Sequence, residues 1–173
     1  GTVLQSRYRV ISQLGQGGMG AVYYAWDMRL SIPVALKEML AQTGLALETL
    51  DELRVQFQQE AKVLARLSHP NLVAVTDFFE ENTNAYLVMK YVEGESLADR
   101  IRRVGGLSED QVLELARQLL DALAYCHSQG VIHRDIKPAN LIIRQDGQLV
   151  LVDFGLVKLW DPHDPQTQTA IRG

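Results

Sequence analysis

The sequence predicts an α+β fold: an antiparallel five-stranded sheet carrying one helix, followed by a mostly helical region. Three observations predict it. Between residues 8 and 90, β-branched and aromatic runs of strand length alternate with turn signals, as YRVISQLG, GAVYYAWD, PVALKEML, LVAVTDFF and AYLVMKYV. One helical pattern interrupts them at about residues 49–67, where Leu53, Phe57, Ala61, Leu64 and Leu67 recur at helical spacing before the loop signal SHPN. After EGESL the period turns helical. Ser108 and Gln111 make an S-x-x-Q capping box, Val112, Leu115, Ala116, Leu119 and Leu123 form an apolar stripe, and Gly130 ends the run.

The remaining elements follow from turn chemistry. VIHRDIKPANLIIRQDGQLVLVDFG offers two short apolar runs around Asp146-Gly147, a hairpin hung on charged loops. DPHDPQTQTAIRG, rich in Pro, Asp and Thr, reads as a loop. No internal repeat or low-complexity tract is present.

Composition narrows the function. With 173 residues, 47% of them hydrophobic, the chain can bury a core in one domain or two small lobes. A net charge of -4 provides no basic field, which argues against nucleic acid or an anionic membrane as partner. The single Cys126 cannot form an internal disulfide and suits a reducing compartment. No apolar run approaches the roughly 18–20 residues of a membrane span, and GTVLQS lacks a signal-peptide pattern, so this segment reads as cytoplasmic. Four scattered histidines have no zinc spacing, and no structural metal is expected.

The chemistry-bearing residues fall into three groups. GQGGMGAV, residues 15–22, spells G-x-G-x-x-G-x-V between two strand patterns. Glycines let backbone N–H groups approach phosphates, and Val22 can cover a flat ring. The same spelling occurs in dinucleotide-binding units, but there the loop opens a helix, whereas here it opens the strand GAVYYAW; a hairpin turn without ligand is the other reading. Lys37, in VALK, ends an apolar strand, where a solvated charge is common. Glu60 lies one step from Phe57, Ala61 and Leu64 on its helix and could reach Lys37, holding the ammonium ready for a phosphate, or pair with a nearby surface cation instead. Asp135, Asn140 and Asp153 are two carboxylates and a carboxamide in loops, a donor set for Mg²⁺ with phosphates, although loop Asp and Asn also cap turns.

GQGGMGAV, VALK, Glu60, HPNL, HRDIKPAN and DFG occur in one order, and in that order the chain resembles a protein kinase over residues 8–173. HRDIKPAN, with Lys137 two residues after Asp135, resembles the Ser/Thr branch; GGMG and TQTAIRG resemble the eukaryotic-like Ser/Thr kinases of bacteria. The resemblance implies a two-lobed fold with an N-lobe at 1–90, a hinge at 91–95 and a partial, mostly helical C-lobe at 96–173. It implies ATP and Mg²⁺ as cofactors. Gly15, Gly17 and Gly20 would cover the ATP phosphates, and Lys37, paired with Glu60, would hold the α- and β-phosphates. Leu14, Val22 and Ala35 above and Ile142 below would enclose adenine, with Met89 behind it and hydrogen bonds to the backbone from Lys90 to Val92. Asp153 and Asn140 would bind metal, Asp135 would accept or orient the substrate hydroxyl proton, and Lys137 would contact the transferred phosphate. His133 would pack against Phe154, with Leu64 and Val75, rather than act as a base. Arg134 implies control by activation-loop phosphorylation, with Thr167 and Thr169 as acceptors.

The partners implied are proteins bearing Ser or Thr, with self-association for trans-autophosphorylation, and a membrane anchor elsewhere in the parent protein is compatible with the family. The family's activation segment and further helices extend past the equivalent of Gly173. An incomplete C-lobe is therefore expected to expose part of the apolar stripe on the helix of residues 112–123 and to leave this fragment alone inactive or impaired. An ordered or cleaved part of a longer kinase, a shortened chain, and a second chain supplying the rest all remain open. The functional alternative is a nucleotide-binding scaffold, pseudokinase-like, without phosphotransfer.

Overall fold

The alternating runs of the first half build one antiparallel ladder. In the computed structural model, which describes residues 1–17, 20–39, 55, 57–59, 61–82, 84–153 and 158–159, the strands are β1 (Val3–Leu4), β2 (Tyr8–Gly17), β3 (Gly20–Asp27), β4 (Ile32–Met39), β5 (Val75–Glu81) and β6 (Asn84–Lys90). They form a six-stranded sheet in the order β1-β2-β3-β4-β6-β5. The five strands expected are joined by a sixth, β1, whose two residues pair with Tyr8 and Arg9. Two residues are too few to show a period, so the sequence pattern alone does not reveal it. β5 also starts later than LVAVTDFF suggests: Leu72 makes an isolated parallel bridge to Leu151 instead.

Alternation assigns the faces. Along β4, Val34, Leu36 and Glu38 are buried while Ala35, Lys37 and Met39 are half-buried on the other face. The buried side joins Leu4, Tyr8, Ala25, Val34, Leu36, Tyr86 and Val88 into a core. Each large apolar side chain buried there stabilises by about 1.5–3 kcal/mol. Phe79 stacks between Tyr8 and Tyr86, with ring centroids 5.4 and 5.0 Å away. A bidentate pair closes the core's edge: Arg7 donates from Nε and Nη2 to the Asp27 carboxylate, the shortest bond being 2.7 Å. The described residues 57–59 and 61–64 are helical (α1), and Phe57, Ala61 and Leu64 are buried at the expected spacing. The Phe57 ring lies 5.6 Å from that of Phe78 on β5.

Downstream come β7 (Glu95–Ser96), α2 (Leu97–Val104), α3 (Glu109–Ser128), β8 (Val131–Ile132), a 3₁₀ turn (Pro138–Asn140), β9 (Leu141–Ile143), β10 (Leu149–Leu151) and β11 (Lys158–Leu159). The capping box forms as expected: Gln111 N donates to Ser108 Oγ, and Ser108 N to Gln111 Oε1. On α3, Ala122 and Cys126 are buried and Leu115, Ala116, Leu119 and Leu123 half-buried, whereas Val112, Leu113 and Leu120 are exposed. The Asp146-Gly147 hairpin forms between β9 and β10, with Gly147 at φ 83°. β7 pairs with β9 on its other side. That pairing requires glycine at 94, where a Cβ would stand 2.5 Å from the Ile143 carbonyl oxygen.

The chain divides into two compact units, Gly1–Ser68 with Val73–Glu93, and His69–Leu72 with Gly94–Gly173. The short passage His69–Leu72 is tied into the second by polar bonds. Asn71 Nδ2 donates to Gln118 Oε1 (2.9 Å) and to the Leu149 carbonyl (2.6 Å), and Leu151 N donates to the Asn71 carbonyl (2.9 Å).

Candidate active site

In the first unit, ladder register arranges the predicted residues. Residues opposed across an antiparallel ladder share a face. Val22 lies opposite Lys37, which lies opposite Leu87; Ala35 lies opposite Met89. Val22, Ala35, Lys37 and Met89 therefore occupy one face, the reverse of the one carrying the Tyr86 and Val88 core. Gly15 pairs with Val22, and Gly17 with Gly20 at the hairpin end. Gly20 has φ 143°, and a Cβ there would overlap the Glu38 carbonyl oxygen, so only glycine lets β3 approach β4 this closely. Leu14 sits at a register irregularity of β2 and is half exposed. Lys90 ends β6 with its side chain exposed, and Val92 lies past the last ladder pair, where backbone groups are not committed to the sheet. Glu60 lies outside the described residues, and so does its pairing with Lys37.

In the second unit, polar contacts do the arranging. Asp135 Oδ2 accepts from Lys137 Nζ at 2.8 Å and from Asn140 Nδ2 at 2.9 Å, and Asn140 Nδ2 also donates to the Asp135 carbonyl at 2.9 Å. Pro138 opens the 3₁₀ turn, where a missing N–H costs nothing, and Asn140 N donates to the Lys137 carbonyl. Val152 N then donates to the Asn140 carbonyl at 3.0 Å, which sets the backbone before Asp153 beside the turn. Ile142, on β9, pairs with Val150 and Ser96. His133 is buried, and its Nδ1 accepts from Asp135 N at 3.3 Å. Arg134 between them is exposed and held at φ 63°, a left-handed conformation that costs a non-glycine residue about 1–2 kcal/mol. Phe154, Thr167 and Thr169 lie outside the described residues.

Electrostatics keep this cluster charged. The Lys137 ammonium, more than the Asn140 amide, holds the Asp135 carboxyl below the usual carboxylate range, against the opposing effect of burial. Lys137 is raised in turn, by Asp135 chiefly and by Asp153 more weakly. The set fits a divalent cation shared with phosphates. Both Asn140 amide bonds are made through Nδ2, which leaves the carboxamide oxygen as its acceptor, and Asp153 adds a carboxylate. Among the described residues no three or more His, Cys, Asp or Glu side chains gather to hold a metal. Mg²⁺ takes one or two carboxylates and completes its shell with phosphates and water, and Asp153 with the Asn140 carboxamide oxygen is a donor set of that kind.

Three contributors escaped sequence reasoning. Glu38 accepts three side-chain bonds on the core face, and its parity with Val34 and Leu36 was the available signal. Gly94 and Asn71 act through close approach and backbone bonds that no period encodes. Among the described residues, no helix is long and apolar enough to cross a membrane.

Comparison with known proteins agrees on one family. The protein kinase domain model matches residues 8–172. The probable serine/threonine-protein kinase PknB of Lactococcus lactis is 35% identical, over 91% of this chain and 25% of its own length. The serine/threonine-protein kinase pkn2 of Myxococcus xanthus is 40% identical, over 92% of this chain and 19% of its own. The serine/threonine-protein kinase PknA of Mycobacterium tuberculosis is 38% identical, over 99% of this chain and 40% of its own. The chain thus spans well under half the length of these relatives. With a domain match running almost end to end and bacterial relatives at 35–40% identity, the chain belongs to the protein kinase domain family, among its bacterial Ser/Thr members.

Proposed function

We propose that the protein transfers the γ-phosphoryl group of ATP to Ser or Thr hydroxyls of other proteins, and that this chain carries the residues that bind nucleotide and orient the hydroxyl. The cluster of Asp135, Lys137 and Asn140 carries the reading. A carboxylate held ionised by its neighbours is a weak base, so Asp135 works mainly by accepting the hydrogen bond of the attacking hydroxyl and aiming its oxygen. Lys137 offsets charge on the phosphoryl oxygens. Bound Mg²⁺ supplies further charge neutralisation on the phosphates, with Asp153 and Asn140 as its protein ligands.

In the first unit, Gly15, Gly17 and Gly20 let backbone N–H groups approach phosphates, and Lys37, steadied by Glu60, holds the α- and β-phosphates. Leu14, Val22, Ala35, Met89 and Ile142 give apolar contacts to adenine, and the backbone of Lys90 to Val92 gives polar ones. The lobes in this reading are residues 1–90 and 96–173, with a hinge at 91–95. Arg134 pairs with phosphate acquired by Thr167 or Thr169 through self-phosphorylation between copies, and this segment works in the cytoplasm. The similarity to bacterial serine/threonine-protein kinases supports the Ser/Thr acceptor.

The test is incubation of the chain with Mg-ATP and a Ser/Thr-containing acceptor protein, followed by intact mass and phosphopeptide mapping. Phosphate on Ser or Thr, lost in Asp135→Asn, is the expected result. Nucleotide binding without any transfer would replace this reading with a nucleotide-binding scaffold.

A further inference from the structure

The core face of the first unit contains a carboxylate that the proposed chemistry does not use. Glu38 is 7% exposed, next in sequence to Lys37 and on the opposite face of β4. Its Oε1 accepts from Tyr86 Oη at 2.6 Å and from Asn84 Nδ2 at 2.8 Å, and its Oε2 accepts from Tyr23 Oη at 2.8 Å. Those donors come from β6 and β3, the two strands that flank β4. Burial and the bond to Glu38 push the Tyr86 hydroxyl up to about 12, and the same bond raises Tyr23, so both remain protonated donors at neutral pH. Among the described residues no cation pairs with Glu38. A buried carboxylate without a cation is expensive, and three charge-assisted hydrogen bonds offset that cost.

The location of this knot matters more than its strength. Ala21, Glu38 and Tyr86 form one row across β3, β4 and β6, and the next row holds Val22, Lys37 and Leu87. A slip of one residue in β4 would turn Lys37 into the core and Glu38 onto the other face. The Glu38 carbonyl oxygen is also the atom nearest to where a Gly20 Cβ would stand, so the strand end bearing Glu38 directly backs the glycine hairpin. We infer that Glu38 is a positioning residue: by tying β3, β4 and β6 together behind Lys37 and Gly20, it holds the ammonium and the glycine hairpin in the geometry that receives the nucleotide phosphates. This inference rests on the nucleotide-binding reading above for its consequence, but not for its geometry.

The geometry requires acceptors, not charge. Glutamine keeps an oxygen for Tyr86 and Asn84 and turns an amide toward Tyr23, whose hydroxyl can accept as well as donate. Alanine removes all three bonds and leaves the buried Tyr86 hydroxyl and the half-buried Tyr23 and Asn84 donors without that partner.

The experiment compares wild type, Glu38→Gln, Glu38→Ala and Tyr23→Phe in the full chain by two readouts. Amide hydrogen exchange at residues 20–23 and 36–39, measured without nucleotide, reads the knot itself. Affinity for a fluorescent ATP analogue with Mg²⁺, with the KM for ATP and kcat where transfer is measurable, reads its consequence. Glu38→Ala is expected to speed exchange at those amides at least tenfold and to weaken nucleotide binding about tenfold, mainly through KM. Tyr23→Phe should show a smaller change in the same direction, and Glu38→Gln should stay within about twofold of wild type on both readouts. Where Glu38→Ala does not fold, Tyr23→Phe and Tyr86→Phe decide the matter. Unchanged exchange in folded variants overturns the inference, as does Glu38→Gln behaving like Glu38→Ala. Faster exchange with unaltered nucleotide affinity overturns it too, because the knot would then be structural only. A wild-type chain that binds no nucleotide is a failure of the proposed function, and it is told apart because the exchange readout needs none.

Discussion

The two units hold their candidate residues by different means. In the first, the position of Lys37 follows from a ladder: eight-residue strands β3 and β4 pair along their whole length, and side-chain parity places Val22, Ala35, Lys37 and Met89 together. In the second, strands are two or three residues long, and Asp135 is placed by single atoms: a His133 nitrogen, a lysine ammonium and one carboxamide. A ladder spreads its constraint over many bonds, so losing one shifts little. A cluster of point contacts concentrates the constraint, and the left-handed Arg134 beside it shows backbone strain held in place by those contacts. Damage in the second unit should therefore show as lost chemistry in a folded protein, and damage in the first as lost stability with graded chemistry.

The largest expected effect tests the second half of that contrast. Asp135→Asn keeps the size of the side chain and one carbonyl oxygen, but removes the charge that pairs with Lys137 and that, in the proposed reaction, accepts the hydroxyl. Phosphate transfer should fall about 10²–10⁴-fold. Nucleotide affinity and the unfolding midpoint should stay close to wild type. A variant that transfers phosphate at the wild-type rate would break the comparison, since Asp135 would then be one contact among many.

Asp27 tests the first half. Its side chain is 2% exposed, and it binds the Arg7 guanidinium and the backbone N–H groups of Arg29 and Leu30. Asp27→Ala leaves Arg7 with Asp77 alone, and urea unfolding should show a loss of about 3 kcal/mol, the low end for a broken buried pair because Arg7 is partly exposed. Phosphate transfer per folded molecule should change little. The pH dependence has a definite sign. Arg7 above all, with the two backbone N–H groups, lowers the Asp27 carboxyl from 3.8, so its stabilisation is complete above that value and is lost as pH falls through the lowered one. Asp27→Ala should therefore flatten the acid limb of the stability curve.

The same contrast explains what was legible in the sequence. Period-two alternation made the sheet readable, and the heptad-like recurrence of Phe57, Ala61 and Leu64 marked their burial. β1 was not readable, because two residues carry no period. Glu38 is hard to read as buried because glutamate is a residue type seldom found in a core, although its parity puts it with Val34 and Leu36. SHPN read as the loop after a helix and Leu72 as the start of a strand, whereas the bonds of Asn71 to Gln118 and Leu149, 47 and 78 positions away, tie His69–Leu72 into the second unit. The candidate site could be named from the order of its motifs. Its contacts could not, because which oxygen of Asp135 meets Lys137 is decided by a turn, not by spacing.

A smaller effect tests how local the second unit's constraint is. In Gly94→Ala the new Cβ would meet the Ile143 carbonyl oxygen at 2.5 Å and Ile142 Cγ2 at 2.7 Å, and most of that resistance is backbone. The β7 and β9 pair has two registered positions over which to yield. The expected cost is about 1–3 kcal/mol in thermal unfolding, the range for overpacking. Because Ile142 is displaced with β9, nucleotide affinity should weaken more than for an equally destabilising change in β1. Equal weakening would mean that β9 adjusts as freely as a ladder strand.

The smallest effect separates point contacts that serve chemistry from those that serve folding. Ser108 caps α3 through a single hydroxyl, as dependent on one atom as anything at Asp135, yet it starts a twenty-residue helix whose remaining bonds are regular. Ser108→Ala should cost about 1 kcal/mol and Ser108→Gly only a few tenths, because glycine leaves the cap backbone open to water. Both should lower the melting temperature without altering KM or the rate of phosphate transfer. A loss of activity in Ser108→Ala beyond its loss of folded protein would mean that α3 transmits strain to Asp135, and that a regular element, not only the local contacts, holds the loop in place.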